Sequence, residues 1–133
     1  MSKALAISLF VVSAMSVSAA HAFELEGAWT TNPENCSKIF ETKNNRLVFT
    51  RNSDAFGSGF IVDGDQMRGA SKSCRILKRK EEGGRLHVIA SCTTDIAVLG
   101  TQDVSATIDN DNQLTRNYPD FPEMNIAFHR CPH

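Results

Sequence analysis

Residues 73–93 read SCRILKRKEEGGRLHVIASCT, a stretch in which two cysteines lie nine residues on either side of Gly83. Two runs of alternating apolar and polar residues around a Gly-Gly pair are typical of a β-hairpin. A three-residue turn centred on Gly83 brings Cys74 and Cys92 directly opposite each other. The same register pairs Glu81 with Arg85 and Ile76 with Ala90.

This register gives the hairpin one apolar and one polar face, as a half-buried pair of strands requires. The apolar face comprises Cys74, Ile76, Leu86, Val88, Ala90 and Cys92. The polar face comprises Arg75, Arg79, His87 and Ser91. A shift by one residue would bring apolar and basic side chains onto the same face, so the pattern supports a single register.

The four cysteines of the chain all follow residue 22, which predicts two disulfides in an oxidising compartment. The hairpin register favours a bond between Cys74 and Cys92, and this leaves Cys36 to pair with Cys131. No C-x-x-C pair occurs. We therefore predict neither a metal site nor a cofactor.

Residues 1–22 have the features of a cleavable signal peptide. Lys3 precedes an apolar run at 4–17, and the run is followed by an A-x-A cleavage motif, Ala-His-Ala at 20–22. The run is too short to span a bilayer. We expect a periplasmic or secreted protein with one domain, residues 23–133, and no membrane span.

The charge of the predicted mature chain gives no electrostatic case for binding nucleic acid. Removal of the signal peptide takes away only Lys3 among the charged residues, so 13 basic residues face 15 acidic ones. The remaining 111 residues are a single-domain length. We expect a monomer.

The pattern along the chain predicts an all-β fold of eight or nine short strands. Turn-forming residues recur along the chain, at 44–45, 52–54, 63–65, 82–84, 109–112 and 118–122. Strands are predicted at 23–29 and 46–51, and one short helical segment at 32–40, which begins with Asn-Pro. Short links favour a small antiparallel up-and-down barrel over a Greek key, because closure removes two exposed edges.

We expect the interior of so small a barrel to be mostly filled by its own side chains. The large inward residues are predicted to be Trp29, Phe49, Phe60, Ile76, Leu86 and Phe128. A cavity of several hundred cubic ångströms would instead indicate a small-molecule carrier.

Trp29 and Arg130 link the two ends of the chain. By alternation both lie on the apolar sides of their strands, where an indole face is a good partner for a guanidinium. Gly27-Ala28-Trp29 together with Arg130 resembles the calycin group of small secreted barrels. In that group, lipocalins and the bacterial Inh-type metalloprotease inhibitors carry Gly-x-Trp on the first strand, and a basic residue of the last strand packs across the Trp. The resemblance implies a lipocalin-like barrel with Gly27, Trp29 and Arg130 as structural residues.

The sequence contains no catalytic motif of the type H-E-x-x-H or G-x-S-x-G, and no cysteine is left over as a nucleophile. We therefore predict a non-catalytic binding module, preferably for a protein partner. Two alternatives stay open: an inhibitor of a secreted hydrolase such as a protease, which the resemblance implies, and a small-molecule carrier. Inh-type inhibitors insert an extended N-terminal arm into the protease cleft, whereas here only two residues precede the predicted strand at 25–29.

Two segments are candidates for partner contact. The first is a stiff, apolar loop that contains Tyr118, Pro119, Phe121 and Pro122. This loop either covers the barrel mouth or contacts a partner. The second is the basic hairpin tip with Arg79 and Arg85, which is either a docking patch for an acidic partner or a solvated tip that resists edge pairing.

Overall fold

The computed structural model describes residues 11–16 and 22–132. In these residues eight antiparallel strands form a closed barrel, accompanied by one short α-helix. The predicted all-β antiparallel barrel is therefore confirmed. Much of the predicted signal peptide, 1–10 and 17–21, lies outside the described residues, and 11–16 is exposed without regular secondary structure.

The elements follow one another in short steps along the chain. The strands are β1 (Gly27–Thr30), β2 (Phe40–Lys43), β3 (Arg46–Phe49), β4 (Gly59–Asp63), β5 (Gln66–Arg68), β6 (Lys72–Glu82), β7 (Arg85–Thr94), β8 (Val98–Asn110), β9 (Gln113–Asn117) and β10 (Ile126–Cys131). The helix α1 (Cys36–Ile39) follows a 3-10 turn at Pro33–Asn35, and further 3-10 turns lie at Ser53–Ala55 and Pro122–Met124.

The barrel is an up-and-down meander with one insertion. Strands β4 to β10 pair in sequence order, and β1 closes the barrel by pairing with both β4 and β10. The hairpin β2–β3 is a separate two-stranded sheet between β1 and β4 in the chain. No helix in the described part of the chain is long and apolar enough to cross a membrane.

The half of the β6–β7 hairpin that carries the cysteines has the expected register. Cys74 lies opposite Cys92, and Ile76 lies opposite Ala90. A bulge between Ile76 and Lys78 then adds one residue to β6. Beyond the bulge, every pair is shifted by one position from the register predicted by the sequence.

The turn of this hairpin has two residues rather than the three predicted. Gly83 and Gly84 both have positive φ, 57° and 75°, which suits a two-residue turn that matches the twist of the strands. Glu82 therefore pairs with Arg85, whereas Glu81 was predicted there. With a two-residue turn and no bulge, Cys74 would lie one position away from Cys92. The extra residue of the β6 bulge brings the two cysteines opposite each other.

The bulge also reverses the faces of the residues that follow it. Arg79 lies opposite the buried Val88, and Glu81 lies opposite the buried Leu86. The prediction that Arg79 lies on the outer face is therefore wrong. The reason is that simple alternation does not hold across an inserted residue.

Residues 22–26, which we call the closing segment, form no strand, although the sequence predicted one from 23. Phe23 and Leu25 are buried in the barrel core. Gly27, with φ of 119°, leads from this segment into β1. The Trp29 indole Nε1 donates a hydrogen bond to the Leu25 main-chain oxygen at 2.9 Å, which fixes the closing segment against the first strand.

A second apolar cluster lies between β2–β3, α1 and the barrel. It comprises Ala28, Ile39, Phe40, Ile61 and Cys131, with Cys36, Leu47 and Phe49 packed against it. The prediction that Phe49 points into the barrel is therefore wrong. Its ring packs on Phe40, 5.2 Å between centroids, because β3 pairs with β2 outside the barrel.

The structure contains two disulfides, and they are the pairs expected from the hairpin register. Cys74–Cys92 crosses β6 and β7, eighteen residues apart in the chain. Cys36–Cys131 joins α1 to the last strand over a separation of 95 residues. The second bond therefore anchors the β2–β3 insertion to the barrel.

Candidate binding site

One end of the barrel is sealed by the closing segment. The Phe23 ring lies 5.9 Å from the Trp29 ring, and only 7% of Phe23 and 3% of Leu25 is exposed. These side chains fill the barrel beneath the indole. The sealed end therefore gives no access to the interior.

Arg130 secures this seal. Its guanidinium carbon lies 4.3 Å from the centre of the Trp29 ring, and the two residues are opposite each other on β10 and β1. The guanidinium donates hydrogen bonds to the main-chain oxygens of Glu24 and Glu26. A further bond of 3.1 Å reaches the main-chain oxygen of Asp111, so one side chain joins the closing segment, the β8–β9 turn and the last strand.

The other end of the barrel opens onto a cavity of about 250 Å³. Its wall is formed mainly by small or medium apolar side chains of four neighbouring strands, Cys74, Leu86, Val88, Ala90, Cys92, Val104, Ala106 and Leu114. Phe60 and Phe128 complete the wall, with their rings edge to face at 5.1 Å. The mouth carries Lys72, Gln102 and Arg116.

The expectation of a mostly filled interior is therefore wrong. Trp29 and Phe23 fill the barrel at the sealed end. Around the cavity, Ala90, Ala106 and the Cys74–Cys92 bond present little volume to the centre of the barrel. Ala106 lies opposite Leu86 and Ala90 lies opposite Gln102, so these small side chains are spread along the barrel wall and leave space beside their larger neighbours.

Exposed apolar side chains gather around the open end. Among residues 22–132, eight large hydrophobic residues are exposed, and seven of them lie on the loops or strand ends at the mouth. We call these seven the apolar rim: Phe56, Ile96, Val98, Leu99, Phe121, Met124 and Ile126. The exception is Leu77, at the β6 bulge.

The loop at 118–125 contributes to the rim but does not plug the mouth. Phe121 is 57% and Met124 is 54% exposed, and no residue of the loop lines the cavity. Tyr118 is half-buried, with the Arg116 guanidinium 4.7 Å from its ring centre. Pro119 and Pro122 are exposed beside it. The loop therefore does not cover the barrel mouth as one of the two hypotheses expected, and its contact with a partner stays a prediction.

The structure separates the predicted contact residues into two groups. Tyr118, Pro119, Phe121 and Pro122 lie at the open end, whereas Arg79 and Arg85 lie at the sealed end. Arg79 donates a hydrogen bond to the main-chain oxygen of Phe23, so it helps to hold the closing segment in place. Arg85 is exposed beside the hairpin turn. The two groups therefore do not form one surface.

Sequence reasoning missed the rim residues Ile96, Val98 and Leu99. They lie in and after the β7–β8 turn, which the alternation pattern leaves irregular. A signal was present, because the run Ile-Ala-Val-Leu at 96–99 is unusually apolar for a connection between strands. Only the assembled barrel shows that this connection and the loop at 118–125 are at the same end.

A larger polar depression of about 880 Å³ lies at the sealed end. Its charged side chains include Arg68, whose Nη2 donates to the main-chain oxygen of Leu47 at 2.9 Å. Burial lowers the pKa of Arg68, the charge of Arg46 lowers it further, and Asp63 opposes them. Nη2 of Arg68 and the Arg130 guanidinium are held by main-chain oxygens, whereas Arg68 Nε is buried without a hydrogen-bond partner among the described residues. We place the candidate site at the open end, where an apolar cavity and exposed apolar side chains occur together.

His87 and His129, the two histidines among the described residues, lie apart from each other on the barrel. His87 bonds Asp103 on the outer face of neighbouring strands, and His129 pairs with Thr30 across β10 and β1. Within residues 11–16 and 22–132, no three His, Cys, Asp or Glu side chains gather in a metal-binding arrangement.

The fold and site together define a class: an antiparallel eight-stranded barrel, sealed at one end by its own chain and open at the other onto an apolar cavity with an apolar rim. Comparison of the chain with protein-family models, curated protein sequences and solved structures gives no match. The resemblance to the calycin group therefore stays a prediction.

Proposed function

We propose that the protein is a non-catalytic binding module that binds a protein partner at its open end. The observation that supports this most strongly is the position of the apolar rim, since seven of the eight exposed large hydrophobic residues in residues 22–132 surround one opening. Monomeric soluble proteins rarely expose contiguous apolar patches larger than a few hundred Å², and apolar side chains gathered at one place on a surface are typical of interaction sites. Because the rim is spread over several loops, an occupant that covers it must present a broad surface, as a protein does.

The cavity supplies the anchor point of this interface. In many complexes a few large side chains enter desolvated pockets and provide most of the binding free energy. A cavity of about 150 Å³ is known to hold benzene, so the 250 Å³ here is enough for one aromatic or aliphatic side chain. We propose that the partner inserts such a side chain between Phe60 and Ala106 while its surrounding surface covers the rim.

A carrier of small molecules is the second candidate, and the cavity itself favours it. The volume is slightly below the range of about 300–1,000 Å³ that is usual for drug-sized ligands. A smaller apolar molecule with a carboxylate would fit, because Lys72 and Arg116 lie at the mouth. This candidate does not account for Ile96 or Phe121, which lie outside the cavity wall.

Affinity capture with matched variants tests the proposal. Residues 23–133 serve as bait in wild-type form, as the double variant Phe121→Ser/Met124→Ser, and as Leu77→Ser, which also removes an exposed apolar side chain but at the bulge. We expect a protein from the periplasm or culture fluid of the host to bind the wild type and Leu77→Ser, and to be lost with the double variant. Retention by the double variant would contradict the proposal.

The same experiment addresses the other hypotheses. A recovered partner with hydrolase activity that falls on addition of the bait would make this module an inhibitor. In that case the inhibition must use the rim, because Phe23 and Leu25 of the closing segment are buried and provide no free arm. Binding of a carboxylated apolar probe with no protein captured would favour the carrier.

A further inference from the structure

Glu81 directs its carboxylate at the main-chain nitrogen of Phe23. The nitrogen lies 3.0 Å from Oε2 and 3.3 Å from Oε1, so both oxygens converge on one atom. Arg79 holds the other side of the same residue, since its guanidinium donates to the Phe23 oxygen and lies 3.8 Å from Glu81 Oε2. Phe23 is thus held at its nitrogen, its oxygen and its buried ring.

The β6 bulge creates this arrangement. Simple alternation from Arg75 would place Arg79 and Glu81 on the outer face, but the extra residue at the bulge turns them to the side of Val88 and Leu86. The Glu81 side chain is only 32% exposed there, compared with 77% for its neighbour Glu82. A partly buried carboxylate is costly unless it is well paired. The charge of Arg79 lies 3.8 Å away, beyond hydrogen-bond distance, and the Phe23 peptide N–H supplies one proton and no charge.

The sequence places a predicted cleavage point at the same atom. Phe23 directly follows the motif Ala-His-Ala at 20–22, and Ala22 is exposed. Hydrolysis of the Ala22–Phe23 peptide bond by a signal peptidase consumes one water, leaves a carboxylate on Ala22 and converts the Phe23 nitrogen into an amine. That amine takes up a proton at neutral pH and becomes an ammonium group.

We propose that Glu81 is the receptor for the α-ammonium group of Phe23 that processing creates, and that this ion pair completes the sealed end of the barrel. The ammonium group has three N–H donors and a full charge for the two Glu81 oxygens, which makes the bonds charge-assisted. The buried Phe23 ring keeps the group in position. Removal of the signal peptide and closure of the barrel are therefore coupled through one contact.

The test compares two lengths of the chain. Residues 23–133 carry a free Phe23 amine, whereas residues 18–133 retain five more residues and keep that nitrogen as an amide. Glu81→Gln is made in both, and Glu82→Gln is the matched control because Glu82 is exposed and its ion pair with Lys80 is exposed too. Melting is followed by circular dichroism at pH 7 and low salt.

We expect Glu81→Gln to lower the Tm of 23–133 by about 4 °C or more. The same substitution should lower the Tm of 18–133 by less than half as much, because no ammonium group is there to lose its partner. Glu82→Gln should leave both lengths nearly unchanged. An equal loss in both lengths would overturn the proposal.

Amine reactivity provides a readout that needs only the wild-type sequence. The Phe23 amine of folded 23–133 should react with an acylating reagent at pH 7 several-fold more slowly than the same amine in urea-unfolded chain. Mass spectrometry of the exported full-length chain should give an N-terminus at Phe23. Equal reactivity in the folded and unfolded chains, or an N-terminus elsewhere, would also overturn the proposal.

Discussion

Arg130 lies opposite Trp29 where the last strand meets the first, with its guanidinium carbon 4.3 Å from the centre of the indole. The same guanidinium bonds the main-chain oxygens of Glu24 and Glu26. One side chain therefore joins the seam of the barrel to its sealed end. The apolar cavity at the other end depends on this seal, because Leu25 of the closing segment is part of its wall.

Arg130→Met should lower the free energy of unfolding by about 1 to 3 kcal/mol, because several main-chain oxygens lose a charged donor and the indole loses its cation. Arg130→Lys should retain only part of the unfolding free energy that Arg130→Met loses, since an ammonium group cannot reproduce the planar, forked set of N–H donors of a guanidinium. Urea denaturation measures both. Arg75→Met is the control, because Arg75 is 69% exposed and its pair with Asp65 contributes little. Equal losses at the two sites would contradict the role of Arg130.

The two disulfides should differ in their contribution to stability. Replacing Cys36 and Cys131 by Ala removes a closure over 95 residues, worth about 4 to 5 kcal/mol in the chain-entropy model. Replacing Cys74 and Cys92 removes one over 18 residues, worth about 3 kcal/mol. Denaturation should therefore show a larger loss of unfolding free energy when Cys36 and Cys131 are replaced than when Cys74 and Cys92 are replaced. The reverse order would contradict the ranking by loop length.

Deletion of Leu77 should be tolerated, with a loss below about 1.5 kcal/mol. Its removal abolishes the bulge but keeps Ile76 opposite Ala90 and Arg79 opposite Val88. Deletion of Ser91 from the facing strand is the control. It should cost about 3 kcal/mol or more, because Cys92 leaves its place opposite Cys74. If both deletions unfold the protein equally, the register described for this hairpin is wrong.

Ala106→Leu should fill part of the cavity without disturbing the fold. Ala106 is buried on the cavity wall, so the added side chain has space, and stability should stay within about 1.5 kcal/mol of the wild type. Capture of the protein partner should be lost. Ala127→Leu, on the outer face of β10, should leave capture intact. Undiminished capture by Ala106→Leu would contradict an anchor in the cavity.

The sequence predicts the barrel and the Cys74–Cys92 bond because these depend on local periodicity, and Cys36–Cys131 then follows as the remaining pair. Alternation with a period of two identifies most strands, and the symmetric spacing of Cys74 and Cys92 about the Gly-Gly pair brings them opposite each other. Alternation also places Trp29 and Arg130 on inner faces. Once the barrel closes, first strand against last, those two must meet.

Other features depend on the three-dimensional arrangement of the strands and loops, which alternation along the chain does not reveal. The bulge at Leu77 was not predictable, because a three-residue turn without a bulge satisfies the same cysteine pair. Phe49 alternates correctly within its strand, but that strand lies outside the barrel. The cavity is lined by several strands, and small residues such as Ala90 and Ala106 come to face the same space only after closure. The apolar rim likewise combines loops that are far apart in the chain.

The most direct test of the binding proposal is photo-crosslinking in the host compartment. A photoreactive phenylalanine analogue is introduced singly at positions 98 and 121 of the rim and, as controls, at 77 and 85. We predict that one protein forms adducts from 98 and 121 and from neither control position. Adducts of that same protein from 77 or 85, with none from the rim, would contradict the proposal that the open end of the barrel is the binding surface.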